Sequence, residues 1–353
     1  MKKILIVGGG TLGHIYPILP VVEKVKDKYE FSFIGTKTGL EKDLIQKNPS
    51  FKHKYFLDMQ GFKRKLTFEN IKTINKYFKC FKEAKKILCD IKPDLVIGMG
   101  GYISGVVVRV AKKLKLKAII HEQNSVLGLA NRFVERKVDA VLLNFPLQKP
   151  LKNKNVKVIG NPRLSEIYEN NRLKNEKKHH LVVVGGSRGS KVINDTIIEC
   201  IPELKKHNYH LDLITGNKYY QENEKILESL CCNQVQIIPF TNDLISYLKT
   251  ASVVISRSGA TTLSEIIGLR KIAILIPSPN VTSNHQELNA DVLVNKNCAV
   301  KILEKDLSKE KLIDLILKLE NDYFLRTQFV TNMMNHFNFQ ACNDFIKEME
   351  KFL

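Results

Sequence analysis

The sequence predicts an α/β protein with two doubly wound parallel sheets in two Rossmann-like domains that face one cleft. Two observations support this fold class. Short runs rich in β-branched residues alternate with helical stretches along a chain of 353 residues, which is long enough for two buried cores. A strand, a glycine-rich turn and a helix open the chain at residues 3–17, and a similar glycine-rich turn follows another strand at 182–190.

The predicted strands form two series. The first series comprises Lys3–Val7, Phe31–Ile34, Leu95–Ile97, Lys117–Ile120, Ala140–Leu143 and Val156–Val158. The second comprises Leu181–Val184, Leu211–Ile214, Val235–Ile238, Val253–Ile255, Ile272–Ile276 and Ala299–Ile302. A polar, highly charged stretch at 160–180 separates them, which places one domain at 1–162 and a second at 163–336. The amphipathic segment 337–353 lies beyond the second series and can cross back to the first domain.

The helical stretches show apolar residues at spacings of three and four. One of them places Ile71, Ile74, Phe78, Phe81 and Leu88 on one face, which predicts that this face is buried. The composition, with 44% hydrophobic and 26% charged residues, is that of a globular enzyme. The seven cysteines show no C-x-x-C spacing, so we expect reduced thiols and no zinc site.

No targeting or membrane-spanning segment is expected. Only four apolar residues separate Met1-Lys2-Lys3 from the first glycine, which is too few for a signal peptide. The uncharged stretch 95–108 has 14 residues with four glycines, which is too short for a transmembrane helix.

The formal net charge of +20 is concentrated in the N-terminal half, where residues 52–92 hold 12 Lys or Arg against 4 Asp or Glu. An anionic membrane, a phosphorylated substrate or nucleic acid would each explain this charge, and so would a lysine-rich composition without functional meaning. Nucleic acid is not expected as a partner, because no recognition motif accompanies the charge.

The first glycine cluster has several interpretations. Gly8, Gly10 and Gly13 match the G-x-G-x-x-G pattern of dinucleotide-binding proteins. Such a site needs an acidic residue at the end of the second strand, but that strand ends in Gly35-Thr36-Lys37. A turn that only connects a strand to a helix would also fit.

The second cluster has its own alternatives. Residues 185–189 match the G-x-S-x-G nucleophile elbow of hydrolases, with Ser187 as the nucleophile and Asp243 and His285 later in the chain. A third interpretation explains both clusters together, as backbone loops at helix N-termini that let a phosphate or a sugar approach closely.

Several side chains near these turns can carry chemistry. We expect His14 in the first turn of a helix, where the helix dipole favours a neutral imidazole that accepts a proton, although a local cap is the alternative. Arg257 follows a strand at a position where a diphosphate would dock, and Glu265, early in the next helix, can accept hydrogen bonds from ribose hydroxyls. No D-x-D motif occurs in the sequence, so neither a metal nor another cofactor is expected.

Seven motifs together resemble the MurG family of peptidoglycan glycosyltransferases in order and spacing. They are GGGTLGHIYP (8–17), GMGGYISG (98–105), HEQNSVLGLANR (121–132), GNPR (160–163), VVGGSRGS (183–190), SRSGATTLSE (256–265) and NHQELNA (284–290). The resemblance extends from about residue 3 to residue 330.

The resemblance implies a two-domain α/β protein of the GT-B fold that acts as an inverting N-acetylglucosaminyltransferase. Its donor would be UDP-GlcNAc, and its acceptor the C4 hydroxyl of N-acetylmuramic acid in undecaprenyl-diphospho-muramoylpentapeptide (lipid I), which becomes lipid II. The N-terminal domain would bind the acceptor and the anionic membrane, and the C-terminal domain UDP-GlcNAc. The resemblance further implies a peripheral location on the cytoplasmic face of the plasma membrane and contacts with cell-wall synthesis proteins. A GT-B transferase with another acceptor and a non-catalytic UDP-sugar-binding protein are the alternatives.

The family's site residues transfer to this chain one by one. His14 is the first choice as the catalytic base, and Glu122, which follows a strand in HEQN, is the second. The predicted substrate-binding residues are Thr11, Leu12, Gly13, Asn124, Arg163, Ser187, Thr241, Arg257, Ala260, Thr261, Thr262, Leu263, Ser264, Glu265, Gln286 and Asn289. Two positions depart from the family pattern, because Leu12 replaces a glycine and Arg188 replaces a glutamine.

Overall fold

The computed structural model describes residues 1–61, 68–171, 176–186 and 189–353. The chain divides into two compact units, which are described separately below. Unit 1 comprises Met1–Glu166 and Gln340–Leu353, and unit 2 comprises Ile167–Phe339. The sequence-based boundaries at 162 and 336 therefore lie a few residues before those in the structure.

In the described part of unit 1, seven parallel strands form one sheet in the order β3-β2-β1-β4-β5-β6-β7. The strands are β1 Lys2–Gly8, β2 Tyr29–Thr36, β3 Phe51–Leu57, β4 Leu95–Gly100, β5 Lys117–Glu122, β6 Ala140–Leu143 and β7 Val156–Val158. The helices are α1 Leu19–Val25, α2 Glu41–Lys47, α3 Phe68–Ile91, α4 Tyr102–Lys113, α5 Leu129–Val134 and α6 Pro162–Asn170, which ends in unit 2, and a 3-10 helix spans Leu12–His14. Strand β3 is missing from the sequence-based assignment.

In the described part of unit 2, six parallel strands follow the order β10-β9-β8-β11-β12-β13. The strands are β8 His180–Val184, β9 His210–Ile214, β10 Val235–Ile238, β11 Val253–Ser256, β12 Ile272–Leu275 and β13 Val300–Lys301. The helices are α7 Lys191–Lys206, α8 Asn217–Leu230, α9 Leu244–Thr250, α10 Ala260–Leu269, α11 His285–Val294, α12 Lys309–Asn321 and α13 Tyr323–His336. Short 3-10 helices span Thr282–Asn284 and Glu304–Asp306.

The central strands are apolar along their length because helices cover both faces of each sheet. In β1, residues 4–7 are fully buried, and in β8 residues 181–183 are fully buried as well. The edge strand β3 alternates less clearly and carries exposed lysine and histidine side chains. Its polar composition explains why the apolar-run criterion does not find it.

The predicted buried face of α3 is partly wrong. Leu88 is buried, but Ile74 and Phe78 are 44% and 60% exposed. The buried stripe consists of Cys80, Ala84, Leu88 and Ile91. The helix thus carries two apolar stripes, and periodicity alone does not tell which of them packs on the sheet. Within the described residues, no helix is both long enough and apolar enough to cross a membrane.

The last helix, α14 Ala341–Glu350, belongs to unit 1. Cys342, Phe345 and Met349 enter the core that also contains residues of β1 and β2. The backbone N–H of Cys342 donates to Ser165 Oγ at 3.1 Å. The end of the chain therefore completes the N-terminal core.

We predict that Phe345→Ala lowers the free energy of unfolding of unit 1 by about 3–5 kcal/mol, as expected for loss of a buried phenylalanine. Lys347→Ala, on the exposed side of α14, should change the same quantity by less than about 0.5 kcal/mol. Denaturant unfolding followed by circular dichroism gives both values. Equal stability of the two variants would show that α14 does not support the core.

Candidate active site

The strand order creates one crevice in each sheet. In unit 1 the direction of chain progression reverses between β1 and β4, and in unit 2 it reverses between β8 and β11. Ligands of doubly wound sheets bind beyond the carboxyl ends of the strands at such a reversal. The glycine-rich turns at residues 8–10 and 100–101 flank the first reversal, and those at 185–186 and 259 flank the second. Both predicted glycine loops therefore lie where this fold binds ligands.

Three of these glycines border open space. A Cβ atom added at Gly10 or at Gly259 would meet no atom of the described residues within 4 Å. Among the residues that the structure describes, one added at Gly186 would approach only Cβ of Arg257, at 4.0 Å. Gly10 and Gly186 also have positive φ angles of 88° and 85°, which side chains rarely adopt. The two loops thus leave room for a ligand to come close to the backbone.

His14 is fixed by the first of these loops. Its Nδ1 lies 3.0 Å from the carbonyl oxygen of Gly9 and 3.3 Å from Thr11 Oγ1. Because a carbonyl oxygen only accepts, Nδ1 carries the proton and Nε2 carries the lone pair of the neutral ring. A Cβ at Gly100 would lie 2.7 Å from Cδ2 of His14, so that glycine makes room for the imidazole.

The local helix around His14 differs from the expected one. His14 ends the 3-10 helix that begins at Leu12, and α1 starts only at Leu19. Pro17 explains the interruption, because proline disfavours a helical conformation in the preceding residue. Leu12 lies within the 3-10 helix, where the right-handed backbone accepts a side chain without strain, and Gly13 is half-buried beside it.

The carboxylate of Glu122 holds the loop that follows β5. The residue ends β5 and is 2% exposed. Its Oε1 accepts from the backbone N–H and the side-chain amide of Asn124, at 3.1 and 3.0 Å. Its Oε2 accepts from the N–H of Gly128 at 2.8 Å and from Asn131 Nδ2 at 2.9 Å. Four hydrogen bonds to one buried carboxylate favour loop positioning over proton transfer, so His14 is the stronger candidate for the base.

His121, in the same motif, was not among the predicted site residues. Its Nε2 donates to the carbonyl oxygen of Gly160 at 3.1 Å, and its ring packs edge-on against Phe345 at 5.6 Å. Burial lowers the pKa of His121 to about 4. The neutral ring therefore joins β5 to the start of the GNPR motif and to the C-terminal helix.

Arg163 lies in the same part of unit 1. Its guanidinium pairs with Glu166 at 2.5 Å and stacks over the ring of Tyr16 at 5.2 Å. Its backbone N–H donates to Asn161 Oδ1 at 3.0 Å. This contact brings the GNPR motif next to the segment that follows His14.

The loop at Gly259, which also borders open space, leads into the N-terminus of α10. Its predicted residues Ala260, Leu263, Ser264 and Glu265 are buried, and Thr261 and Thr262 are half-buried. Ser264 Oγ donates to the carbonyl oxygen of Ala260 at 2.8 Å, which turns this hydroxyl toward the helix backbone. The N–H groups at the start of a helix, here next to Gly259, favour an anion.

Arg257 is held by several loops at once. Its guanidinium lies 2.5 Å from Glu304 Oε2 and donates to Ser190 Oγ at 2.5 Å and to the carbonyl oxygen of Ile276 at 3.1 Å. The side chain thereby joins the loops that follow β8, β11, β12 and β13. The predicted diphosphate contact would require this guanidinium to exchange Glu304 for the ligand.

The remaining predicted residues of unit 2 support its loops. Asn289 is fully buried and donates to the carbonyl oxygen of Ser258 at 3.2 Å. Gln286 Oε1 accepts from the N–H of Ser278 at 2.9 Å, and Thr241 Oγ1 accepts from the N–H of Asp243 at 3.0 Å. Ser187 and Arg188 lie outside the described residues.

Asp243 and His285, the other two residues of the hydrolase interpretation, do not support it. Asp243 caps α9 through Ser246, and His285 Nδ1 donates to the carbonyl oxygen of Thr282 at 2.8 Å. Both side chains serve local structure. Within the described ranges, no group of three or more His, Cys, Asp or Glu residues is arranged to hold a metal ion.

Comparisons with known proteins agree with this geometry. Residues 4–143 match the glycosyltransferase family 28 N-terminal domain, and residues 180–346 match the family 28 C-terminal domain. A relative from Bacillus cytotoxicus, named UDP-N-acetylglucosamine–N-acetylmuramyl-(pentapeptide) pyrophosphoryl-undecaprenol N-acetylglucosamine transferase, is 40% identical over 94% of this chain and 93% of its own. A protein of the same name from Bacillus pumilus is 42% identical over 89% of each chain.

Solved structures give the same result. The crystal structure of MurG from Acinetobacter baumannii matches with a TM-score of 0.77 and 26% identity, over 99% of this chain and 100% of that one. The S. aureus MnaA–UDP structure matches over 100% of this chain and 97% of that one, with a TM-score of 0.71. At 16% identity it supports the fold alone.

Two parallel sheets with glycine turns at both reversals, together with these matches, define a GT-B glycosyltransferase. The chain belongs to the MurG family of N-acetylglucosamine transferases, within glycosyltransferase family 28. The fold class and the family predicted from the motifs are thereby confirmed.

We predict that acid destabilises unit 1 through His121. In the unfolded chain this histidine takes up a proton near its ordinary pKa of 6.5, but in the folded chain only near 4. Between these values the unfolded state binds more protons, so stability falls as the pH drops. The loss reaches about 3 kcal/mol once both states are protonated.

Thermal unfolding at pH 7 and pH 5 checks this expectation. The thermal stability of His121→Gln should be lower than that of the wild type at pH 7, and it should change less between pH 7 and pH 5. His53→Gln, at an exposed position of β3, should keep the wild-type slope. An unchanged slope in His121→Gln would assign the acid sensitivity to another group.

Proposed function

We propose that this chain transfers N-acetylglucosamine from UDP-GlcNAc to the C4 hydroxyl of N-acetylmuramic acid in lipid I, with inversion at the anomeric carbon. The names of relatives at 40–42% identity over most of the chain support this substrate pair. The observation that carries the proposal is His14, whose Nε2 lone pair stands at the reversal of the unit 1 sheet. A glycine loop at the reversal of the unit 2 sheet offers a second site for the donor.

His14 acts as the general base in this proposal. Nε2 takes the proton of the C4 hydroxyl while that oxygen bonds to the anomeric carbon, and the bond from that carbon to the diphosphate breaks. The hydrogen bond from Nδ1 to Gly9 fixes the tautomer that this step needs. Glu122, whose carboxylate is occupied, holds Asn124 and the loop around it.

Unit 2 binds the donor in this proposal. The N-terminus of α10 receives the diphosphate, since N–H groups at a helix start stabilise negative charge without reorganisation. Glu265, which is 6% exposed, accepts hydrogen bonds from the ribose hydroxyls. Developing charge on UDP is then balanced by protein dipoles, so we propose that neither a metal nor another cofactor takes part in the transfer.

The direct test supplies purified protein with labelled UDP-GlcNAc and a lipid I analogue. A lipid-linked disaccharide containing the label supports the proposal. UDP-GlcNAc binding without transfer to this acceptor would favour another acceptor or a non-catalytic role. The same assay in excess EDTA tests the role of metals, and a complete, reversible loss of turnover would contradict the metal-free transfer.

We predict that His14→Ala lowers kcat by about 10²–10⁴-fold, because the proton acceptor is lost. UDP binding should stay nearly unchanged, since the donor residues belong to unit 2. His53→Ala, an exposed histidine in the same unit, serves as the control. Near-normal turnover of His14→Ala would reassign the base.

We predict that Glu265→Ala weakens UDP binding and raises KM for UDP-GlcNAc by roughly ten- to a hundredfold, since hydrogen bonds to a charged group contribute about 1.5–3 kcal/mol. Calorimetric titration with UDP measures the effect. Glu310→Ala, an exposed glutamate of the same unit, should bind normally. Wild-type affinity in Glu265→Ala would remove the ribose contact.

The proposed acceptor lies in a membrane, and unit 1 carries a surface suited to reach it. We name it the basic–aromatic face: Ile74 and Phe78 of α3, Arg109 and Lys113 of α4, and Phe133 of α5. These helices pack in sequence, α3 on α4 and α4 on α5. Arg109 lies 4.6 Å from the Phe133 ring and Lys113 lies 4.8 Å from the ring of Phe81.

Cations and exposed apolar groups on one face favour reversible binding to an anionic bilayer, with about 1 kcal/mol from each Lys or Arg near the surface. We therefore propose a peripheral location on the cytoplasmic face of the plasma membrane, in peptidoglycan synthesis for cell shape and division, with other cell-wall synthesis proteins nearby. From the sequence we also predict that Lys63, Arg64 and Lys65, beside Phe62, Leu66 and Phe68, bind the membrane; residues 62–67 lie outside the described residues.

We predict that the double variant Ile74→Glu and Phe78→Glu weakens cosedimentation with anionic vesicles at least tenfold, because burying each apolar side chain contributes about 1.5–3 kcal/mol. UDP binding should not change. Ile226→Glu, at a position of α8 that is 61% exposed, is the control. Wild-type binding should also weaken as salt rises. Equal vesicle binding by all three proteins at low salt would exclude this face.

A further inference from the structure

A buried glutamate lies behind the first glycine loop. Glu41, the first residue of α2, is 0% exposed. Its Oε1 accepts from the backbone N–H of Thr36 at 2.8 Å and from Thr36 Oγ1 at 2.5 Å. Its Oε2 accepts from the backbone N–H of Gly10 at 3.2 Å. Three donors converge on this side chain, and only a group that accepts at both oxygens satisfies them all.

The surrounding glycines make room for this carboxylate. A Cβ at Gly9 would lie 2.6 Å from Glu41 Oε1, and one at Gly35 would lie 3.3 Å from Cγ. A Cβ at Gly39 would collide with the carboxylate itself. Glycines from the turn after β1, the end of β2 and the turn before α2 thus enclose one charged group.

One peptide group connects Glu41 to His14. The N–H of the Gly9–Gly10 peptide belongs to Gly10 and donates to Glu41, and its carbonyl oxygen belongs to Gly9 and accepts from His14 Nδ1. The hydrogen bonds run from the imidazole through the peptide to the carboxylate. Hydrogen bonds in such a chain polarise and strengthen one another.

We propose that Glu41 is a positioning residue for His14 and acts through the Gly9–Gly10 peptide. This inference rests on the proposed function, in which His14 is the base. Glu41 fixes the orientation of the peptide, so the Gly9 carbonyl points at Nδ1 and keeps the lone pair on Nε2. Its negative charge also stabilises the imidazolium that forms when Nε2 takes the C4 proton, as an acidic partner does for a catalytic histidine.

The step balances without further groups. The C4 oxygen forms its bond to the anomeric carbon, the diphosphate leaves with the bonding electrons, and the proton stays on Nε2 of His14. The N–H of Gly10 is engaged by Glu41, so this loop differs from a phosphate-binding loop in which that N–H faces the anion.

The test uses Glu41→Gln in the full-length protein. A glutamine has the same shape, but its NH₂ group must face one of the three donors. We expect kcat to fall about ten- to a hundredfold, the loss that is typical when a hydrogen-bond partner that orients a metal-binding side chain is removed. KM for UDP-GlcNAc should stay constant. Thr36→Val is the matched control, because it removes a donor to Oε1 but leaves the link from Oε2 to Gly10.

A double variant separates positioning from general loop damage. If Glu41 acts through His14, Glu41→Gln should cause no further loss of turnover in a His14→Ala background. An equal loss in both backgrounds would overturn the inference, and so would full activity of Glu41→Gln. Lack of transfer by the wild-type protein would instead refute the proposed function, and full activity of His14→Ala would show that another group is the base.

A measurement on the wild-type protein covers the case in which Glu41→Gln does not fold. The ¹⁵N chemical shifts of the His14 ring at neutral pH should show a protonated Nδ1 and an unprotonated Nε2. The opposite tautomer would overturn the inference, since the Gly9 carbonyl would then receive no hydrogen bond from the ring.

Discussion

The reversal of strand order in each sheet is the constraint on which both sites depend. Between β1 and β4, and again between β8 and β11, consecutive crossovers leave in opposite directions and open a crevice at the carboxyl ends of the strands. Helices cover both faces of these central strands, so the middle of each strand is apolar. Polar chemistry is then confined to the turns at their ends, where the glycine loops lie.

Charged side chains hold these turns in place. Glu41 organises the turn after β1, Glu122 the turn after β5, and Arg257 with Glu304 the turns of unit 2. The carboxylates of Glu41 and Glu122 accept backbone N–H groups of their turns, and that of Glu304 pairs with Arg257, which offsets the cost of their burial. Acidic residues near a site are thus not necessarily its acids and bases. His14 differs, because one ring nitrogen is fixed and the other has the lone pair for chemistry.

The sequence predicted most of the fold because parallel strands that are buried on both faces are continuous apolar runs. It missed β3, an edge strand with exposed polar residues, and it chose the wrong stripe of α3, where Ile74 and Phe78 face solvent. It identified His14 and the α10 loop through motifs. Arg257 and Glu304 form a pair although they lie far apart in the chain. Glu41 lies five residues past the end of β2, at a position that the dinucleotide pattern does not include. Such partners become visible only when the turns are placed in space.

A crystal structure of the protein with UDP bound would test the central claim, that the strand reversals are the ligand sites, most directly. We expect the diphosphate within hydrogen-bond distance of the first N–H groups of α10 and next to Gly186, with the ribose at Glu265. Away from the α10 N-terminus, unit 2 has a cavity of about 650 Å³ lined by residues that include His180, Asp212 and Tyr247. UDP bound there, with the α10 N-terminus empty, would contradict the account.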